Sequence, residues 1–272
     1  MAGAAVGDRP RILLLHGYLS GPAAWAGLRR ELADEATTLA PPLPGYGSEP
    51  PPPAYTLAAV ADALEWRLAQ VRPTHLLGHS MGAILALELA RRYPGRFARV
   101  GVVGLPIFAG GDEGLRFIGQ RGGVHERFLR NADDGHASCV RLQRLRYLWA
   151  PPLRLVARGI PLSVLLSMFD HAPAAHAGGL ANIVFNDLVP ALGERVTTPV
   201  VLLHGDADRT APLAAVRSFA SDGGWPLRIA RGASHQLIFE QPRGVARWVR
   251  ERLLAPPPLG AAPAPSAKLV VH

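Results

Sequence analysis

The 272-residue sequence holds one cysteine, one lysine, and no apolar run free of charge and proline that is long enough to span a bilayer. A membrane helix needs roughly 18 to 20 such residues. The longest apolar stretch, 145–169, is broken by Arg146, Arg154 and Arg158 and by three prolines. Cys139 stands alone, which excludes an intramolecular disulfide framework and any cysteine-cluster metal site. Its expected role is that of a small apolar filler in a reduced, intracellular protein. The opening residues MAGAAVGDRP carry Asp8 and no apolar segment of the kind that directs secretion, so the expected location is the cytoplasm. H-E-x-x-H, G-x-G-x-x-G and Walker-loop patterns are all missing, and nothing calls for a metal or an organic cofactor. Aromatic residues make up 7% and do not interleave with a basic stripe, which argues against nucleic-acid binding.

Hydrophobic residues reach 49% and charged ones 18%, so the chain can bury a core without staples. Its length suits one large domain carrying an insertion. The net charge is +8, and all basic residues except Lys268 are arginine. A surplus of this size recruits anions.

Short apolar runs alternate with helix-like segments. Strands are predicted at 11–15, 37–40, 74–77, 99–103, 199–203 and 227–230. Helices are predicted at 22–35, from Thr56, at 80–92, from about Ala211, and at 241–254. Residues 41–53 hold seven prolines and two glycines and read as a loop. Strands that alternate with helices imply a doubly wound, mainly parallel α/β sheet. The alternation is lost between Leu105 and Pro190, where only helical patches at 125–130, 140–149 and 160–169 show. The expected organisation is a core in two parts, 1–104 and 191–254, a helical cap at 105–190 sitting over the sheet, and a disordered Pro/Ala-rich tail at 255–272.

The strongest chemical signal is Gly78-His79-Ser80-Met81-Gly82, placed between a predicted strand and a predicted helix. A tight strand-to-helix turn of this kind exposes a serine oxygen above the sheet edge, and the flanking glycines relieve crowding. The helix N-terminus behind Ser80 directs N–H groups and a positive dipole end at a developing oxyanion. A serine hydroxyl needs a base. His235, in Gly232-Ala233-Ser234-His235, follows the last predicted strand and reaches the same sheet edge. The acid is expected between them in sequence. Asp206 and Asp208 compete in His204-Gly205-Asp206-Ala207-Asp208-Arg209; Asp208 lies further into the loop and is favoured, with Asp206 read as a turn cap. The oxyanion donors are expected to be the Met81 N–H and, from His16-Gly17-Tyr18, the Tyr18 N–H. His16 reads as a buttress of that loop. Tyr18, His79, Trp149, Leu165 and Phe169 are expected to line a substrate pocket.

These pieces together resemble the α/β-hydrolase superfamily over residues 10–254. The matching segments are RILLLHGY with Trp25, PLPGYGSEP, GHSMG, HGDADRTAP and GASHQLIFEQP, in the family's order. The resemblance implies Ser80 as nucleophile, Asp208 as acid, His235 as base, an oxyanion hole at Tyr18 and Met81, and the insertion in the position of the family's lid. Pro42 stands where relatives often carry aspartate, Tyr46 where many have histidine or phenylalanine, and the family's antiparallel edge strands look absent. Serine at position 80 argues against the dehalogenases of the family, which use aspartate there. The compact layout is similar to small esterases, carbon–carbon bond hydrolases, carrier-protein methyl ester esterases and a lyase that keeps the same triad. The expected activity is hydrolysis of carboxylic esters or related acyl compounds. A lyase or acyltransferase using the same residues, and a non-catalytic small-ligand receptor, are the alternatives. The nine arginines against seven carboxylates of residues 105–190 also suggest a docking face for an acidic carrier protein, beside the plainer reading of a solvated helical surface.

Overall fold

The computed structural model describes residues 9–120, 132–156 and 159–256. Six strands form one parallel sheet: β1 (Arg11–Leu15), β2 (Thr37–Leu39), β3 (His75–His79), β4 (Arg99–Val103), β5 (Val200–Gly205) and β6 (Leu227–Ala230), in the order β2-β1-β3-β4-β5-β6. The chain winds outward from β1 to β2, then returns past β1 to lay down the other four. That reversal puts the carboxyl ends of β1 and β3 side by side, at the switch point where ligands of doubly wound folds bind. No antiparallel strand joins the sheet among the described residues.

The strands are apolar on both faces, as a sheet covered on both sides requires. Leu13, Leu15, Leu76, Val100, Val102, Val200 and Leu202 feed one core, and Ile12, Leu14, Leu77, Val103, Val201 and Leu203 feed the other. This is the period-two alternation of strand side chains used twice over. The first core is covered by α2 (Leu57–Val71) and α3 (Met81–Arg92). Thr56 caps α2 by accepting the Ala59 N–H at 3.2 Å, and Leu57, Val60, Leu64 and Leu68 turn inward while Asp62 and Glu65 stay in water. The second core is covered by α1 (Ala26–Glu31) and the C-terminal helices, with Trp25, Leu28 and Leu32 fully buried. The predicted helix at 22–35 is split, because Pro22–Trp25 winds as a tighter 3₁₀ turn before α1.

Between β4 and β5 the described chain is helical: α4 (Gly111–Gly119), α5 (Ala132–Arg144), α6 (Arg146–Val156), α7 (Leu162–Ser167), α8 (Pro173–Gly178), a wider π turn at Gly179–Val184, and α9 (Leu188–Gly193). The predicted helical patch at 125–130 and the tail from residue 257 lie outside the described residues. This insertion is tied to the proline-rich loop at 41–53. The Ala172 N–H donates to the Gly45 carbonyl at 2.8 Å and the Gly47 N–H to the Asp170 carbonyl at 3.0 Å. Cys139 is fully buried, and burial pushes its thiol up to about 11, which suits an inert filler.

Two glycines set how closely α3 approaches the sheet. A Cβ at Gly82 would lie 2.1 Å from the Leu15 carbonyl oxygen, and one at Gly78 would lie 2.1 Å from the Gly82 oxygen. Both clashes are with backbone, which cannot swing aside. Gly82→Ala should therefore collapse the yield of folded protein or lower its melting temperature by more than 10 °C, the size expected of several kcal/mol. Gly244→Ala is the control: it sits in the helix Pro242–Trp248 with its nearest atoms at 3.9 Å, and should hold or raise the melting temperature. Thermal unfolding of the pair checks the contrast.

Candidate active site

Ser80 lies between β3 and α3 with φ 55° and ψ −122°, a conformation that costs a non-glycine residue of order 1–3 kcal/mol. Two bonds hold the turn: the Ser80 N–H donates to the Val103 carbonyl at 2.9 Å, and the Ser80 carbonyl accepts the Ala83 N–H at 2.8 Å. The strained turn lifts the side chain off the sheet edge. Met81 opens α3, so its N–H belongs to the first turn, where no intrahelical acceptor exists.

Asp208 lies beyond β5 and His235 beyond β6, both at the same carboxyl edge. The His235 Nδ1–H donates to Asp208 Oδ2 at 2.7 Å, and the Ser80 hydroxyl meets His235 Nε2 at 3.0 Å. The three side chains form one hydrogen-bonded line across residues 155 positions apart in sequence. All three are buried, and the Asp208 side chain is completely so. Asp208 Oδ1 accepts the Thr210 N–H at 2.7 Å and the Ala211 N–H at 2.9 Å. Burial alone would raise this carboxyl's pKa, but the hydrogen bonds from His235 and Ala211 and the nearby imidazoles hold it down to about 2.

Asp206 is placed differently. It is exposed, and its Oδ1 accepts the Gly232 N–H at 2.6 Å. The sequence reading of Asp206 as a cap of its own turn is corrected in this detail: it ties the loop after β5 to the loop that carries His235. His16 buttresses the loop after β1, with Nδ1–H donating to the Gly17 carbonyl at 2.9 Å and Nε2 accepting the Leu43 N–H at 3.1 Å. That loop passes directly over the nucleophile turn, since a Cβ at Gly17 would come within 3.1 Å of Ser80 Cβ. Tyr18 therefore follows a residue in contact with Ser80, and its hydroxyl donates to the His176 carbonyl at 3.1 Å.

The expected pocket residues separate. The His79 ring is buried, and its Nε2 is 2.8 Å from the His235 carbonyl oxygen. Its place in the strand-to-helix turn was legible, but the direction of its ring was not. Trp149 and Phe169 pack edge to face at 6.0 Å, and the Trp149 indole N–H donates to the Leu142 carbonyl at 2.6 Å. Leu165 is buried in α7. These three join the packing of the insertion, while Tyr18 joins it to the site. Among the described residues no group of three or more His, Cys, Asp or Glu is arranged to hold a metal ion.

The profile of the Alpha/beta hydrolase family matches residues 12–248. A pimeloyl-[acyl-carrier protein] methyl ester esterase of Aromatoleum aromaticum is 32% identical over 219 residues, covering 79% of this chain and 86% of the relative. The protein of that name in Methylococcus capsulatus is 32% identical over 215 residues, 76% of this chain and 80% of the relative. Among solved structures, an E-2-(acetamidomethylene)succinate hydrolase superposes with TM-score 0.70 at 21% identity over 92% of this chain and 93% of its own. A thermophilic esterase from Thermogutta terrifontis superposes with TM-score 0.63 at 23% identity over 91% and 90%. At these identities the superpositions speak for the fold.

Two predictions follow from the geometry. Asp208→Asn should lower turnover by up to about ten-thousand-fold, since the carboxylate holds the imidazole and balances its charge. Asp206→Asn should cost less than about tenfold, because it loses one exposed hydrogen bond. Steady-state kinetics of the two variants check the order. The second prediction concerns pH. Burial holds His16, His171 and His176 neutral down to about 4 and His79 down to about 3. Above the ordinary histidine value of about 6.5 these rings are neutral folded or unfolded, and they contribute no pH dependence. Below it the unfolded chain binds protons that the folded chain refuses, so stability falls as pH drops from 6.5 toward 4. The urea midpoint should be lower at pH 5 than at pH 7.5, and a flat profile would contradict the burial of these rings.

Proposed function

This chain belongs to the alpha/beta hydrolase family, and from that premise we propose that it is a carboxylic ester hydrolase working through Ser80, His235 and Asp208, with methyl esters of carrier-protein-bound acyl chains as the substrate class. The observation that carries the reading is the hydrogen-bonded line Ser80–His235–Asp208, at 3.0 and 2.7 Å. His235 is already in the tautomer the reaction needs. Its Nδ1–H is committed to the Asp208 carboxylate, and its Nε2 lone pair faces the serine hydroxyl.

In this reading Ser80 Oγ attacks the ester carbonyl as His235 Nε2 takes its proton. The carbonyl oxygen becomes an oxyanion held by the N–H groups of Met81 and Tyr18, each donor worth about 10²–10³ in rate in comparable sites. His235 returns the proton to the departing alcohol, leaving an acyl group on Ser80. Water then attacks with His235 as base, and the acid departs. Asp208 stays ionised throughout, consistent with a carboxyl held at about 2.

The division into a core, 1–104 and 191–254, and a cap at 105–190 goes with this function. Support for a cap over the site comes from Tyr18, bonded to His176, and from Gly179, whose Cβ would lie 3.4 Å from Met81 Sδ. The cap also supplies the surface for the carrier. From residue 135 to residue 169 there is no carboxylate side chain, and Arg141 and Arg144 are exposed beside Tyr147, Leu148 and Leu155. Such a face suits an acidic protein.

The test has two arms. A p-nitrophenyl ester series should be hydrolysed by the wild type, and Ser80→Ala should abolish both turnover and the acyl-enzyme burst. Arg141→Glu with Arg144→Glu should raise KM for a carrier-bound acyl methyl ester at least tenfold at low salt, while leaving the small esters unchanged. Unchanged KM on the carrier substrate would remove the carrier assignment, and ester turnover that survives Ser80→Ala would remove the nucleophile.

A further inference from the structure

We infer that His79 is a positioning residue that fixes the base loop to the nucleophile turn through a hydrogen bond to the main chain of His235. The inference rests on the Ser80–His235–Asp208 reading above and deepens it.

The segment carrying His235 is short, and packing holds it only in part: Ala233 and His235 are buried, while Ser234 is half-buried and Gly232 lies in water. Gly232 has φ 66° and is exposed, and the residues before His235 leave β6 without entering a helix. Its other anchors are polar. Asp206 accepts the Gly232 N–H, the Ala207 N–H donates to the Ala233 carbonyl at 3.1 Å, and the Ser234 hydroxyl donates to Glu240 at 2.7 Å. These hold the loop to β5 and to the following helix. The bond from His79 is different, because it ties the loop to the end of β3, the residue next to Ser80.

The chemistry fixes the tautomer. A carbonyl oxygen only accepts, so His79 Nε2 carries the hydrogen and donates at 2.8 Å. The ring is 3% exposed and lies 4.9 Å from the His235 ring. The opposite nitrogen, Nδ1, has no partner among the described residues and faces Gly17, whose Cβ would come within 3.1 Å of it. Gly104, at φ 58°, makes the floor for both rings: a Cβ there would lie 3.3 Å from His235 Nδ1 and 3.5 Å from His79 Nε2.

A cation at position 79 would oppose protonation of His235 beside it. Burial and the neighbouring His235 ring hold His79 down to about 3, against the opposing pull of the hydrogen bond and Asp208, with His16 adding to the depression. His79 therefore works as a neutral donor across the range in which the enzyme operates. Catalytic rates fall by about 10² for a misplacement of about 1 Å, so a single bond that sets the height of the imidazole is enough to matter.

The experiment compares His79→Leu, which keeps bulk and removes the donor, with His79→Gln, whose Nε2 amide reaches the same carbonyl. Wild-type labelling at Ser80 by a fluorophosphonate, absent in Ser80→Ala, reads the nucleophile independently of position 79. Failure of that label sinks the triad reading rather than this one. With the label in place, His79→Leu should lower kcat on a p-nitrophenyl ester at least tenfold with KM within twofold. His79→Gln should recover kcat to within about threefold of wild type. If His79→Leu fails to fold, His79→Asn, whose amide stops short of the carbonyl, takes its place with the same expectation. The proposal is overturned if Leu and Gln lose activity equally, if kcat is unmoved in Leu, or if KM alone rises.

Discussion

The site depends on one constraint, the left-handed turn at Ser80. A serine at φ 55° is held there by two main-chain hydrogen bonds and by the close approach of α3 to β1 and β3, which leaves no room for a Cβ at positions 82 and 78. That contact supports the turn from which Ser80 Oγ reaches His235 Nε2 at 3.0 Å. The strain in the turn is offset by two large apolar cores, one on each face of the sheet.

The rest of the site is a convergence on that point. The reversal of strand order sets β1 and β3 side by side, so the loop after β1 passes over the turn and brings Tyr18 with it. The loops after β5 and β6 deliver Asp208 and His235 at the same edge, and a network of main-chain bonds fixes their spacing. Asp208 is a fully buried carboxylate with several donors around it, so it stays ionised beside the imidazole it orients. In the proposed reaction, preorganisation of this kind is what would let a serine hydroxyl act as nucleophile.

Much of this could be read from the residues. The six predicted strands are present, each within about two residues of its expected bounds, because runs such as RILLL and VVLLHG must be buried on both faces. The turn at Ser80 was legible because glycine spacing encodes close backbone approach. Asp208 was separable from Asp206 by its position along the loop, and the two indeed face different partners. Other features left no such trace. The bond from His79 to the His235 carbonyl was not anticipated, since nothing in GHSMG tells which way that ring turns. The helix Pro173–Gly178 and the turn Gly179–Val184 were not anticipated, because an Ala- and Gly-rich stretch carries little hydrophobic periodicity and takes its shape from packing. For the same reason the insertion could be recognised as helical while its contacts with Tyr18 and the loop at 41–53 could not.

The central claim is that Ser80 forms a covalent bond to the acyl group during turnover. The most direct measurement is intact-protein mass spectrometry of enzyme acid-quenched within the first turnover on an activated ester, followed by peptide mapping. The account predicts a mass increase equal to the acyl group, carried by the peptide that contains Ser80, absent in Ser80→Ala, and accumulating in slower-deacylating esters. Turnover with no adduct on any ester, or an adduct mapped to another residue, would contradict it.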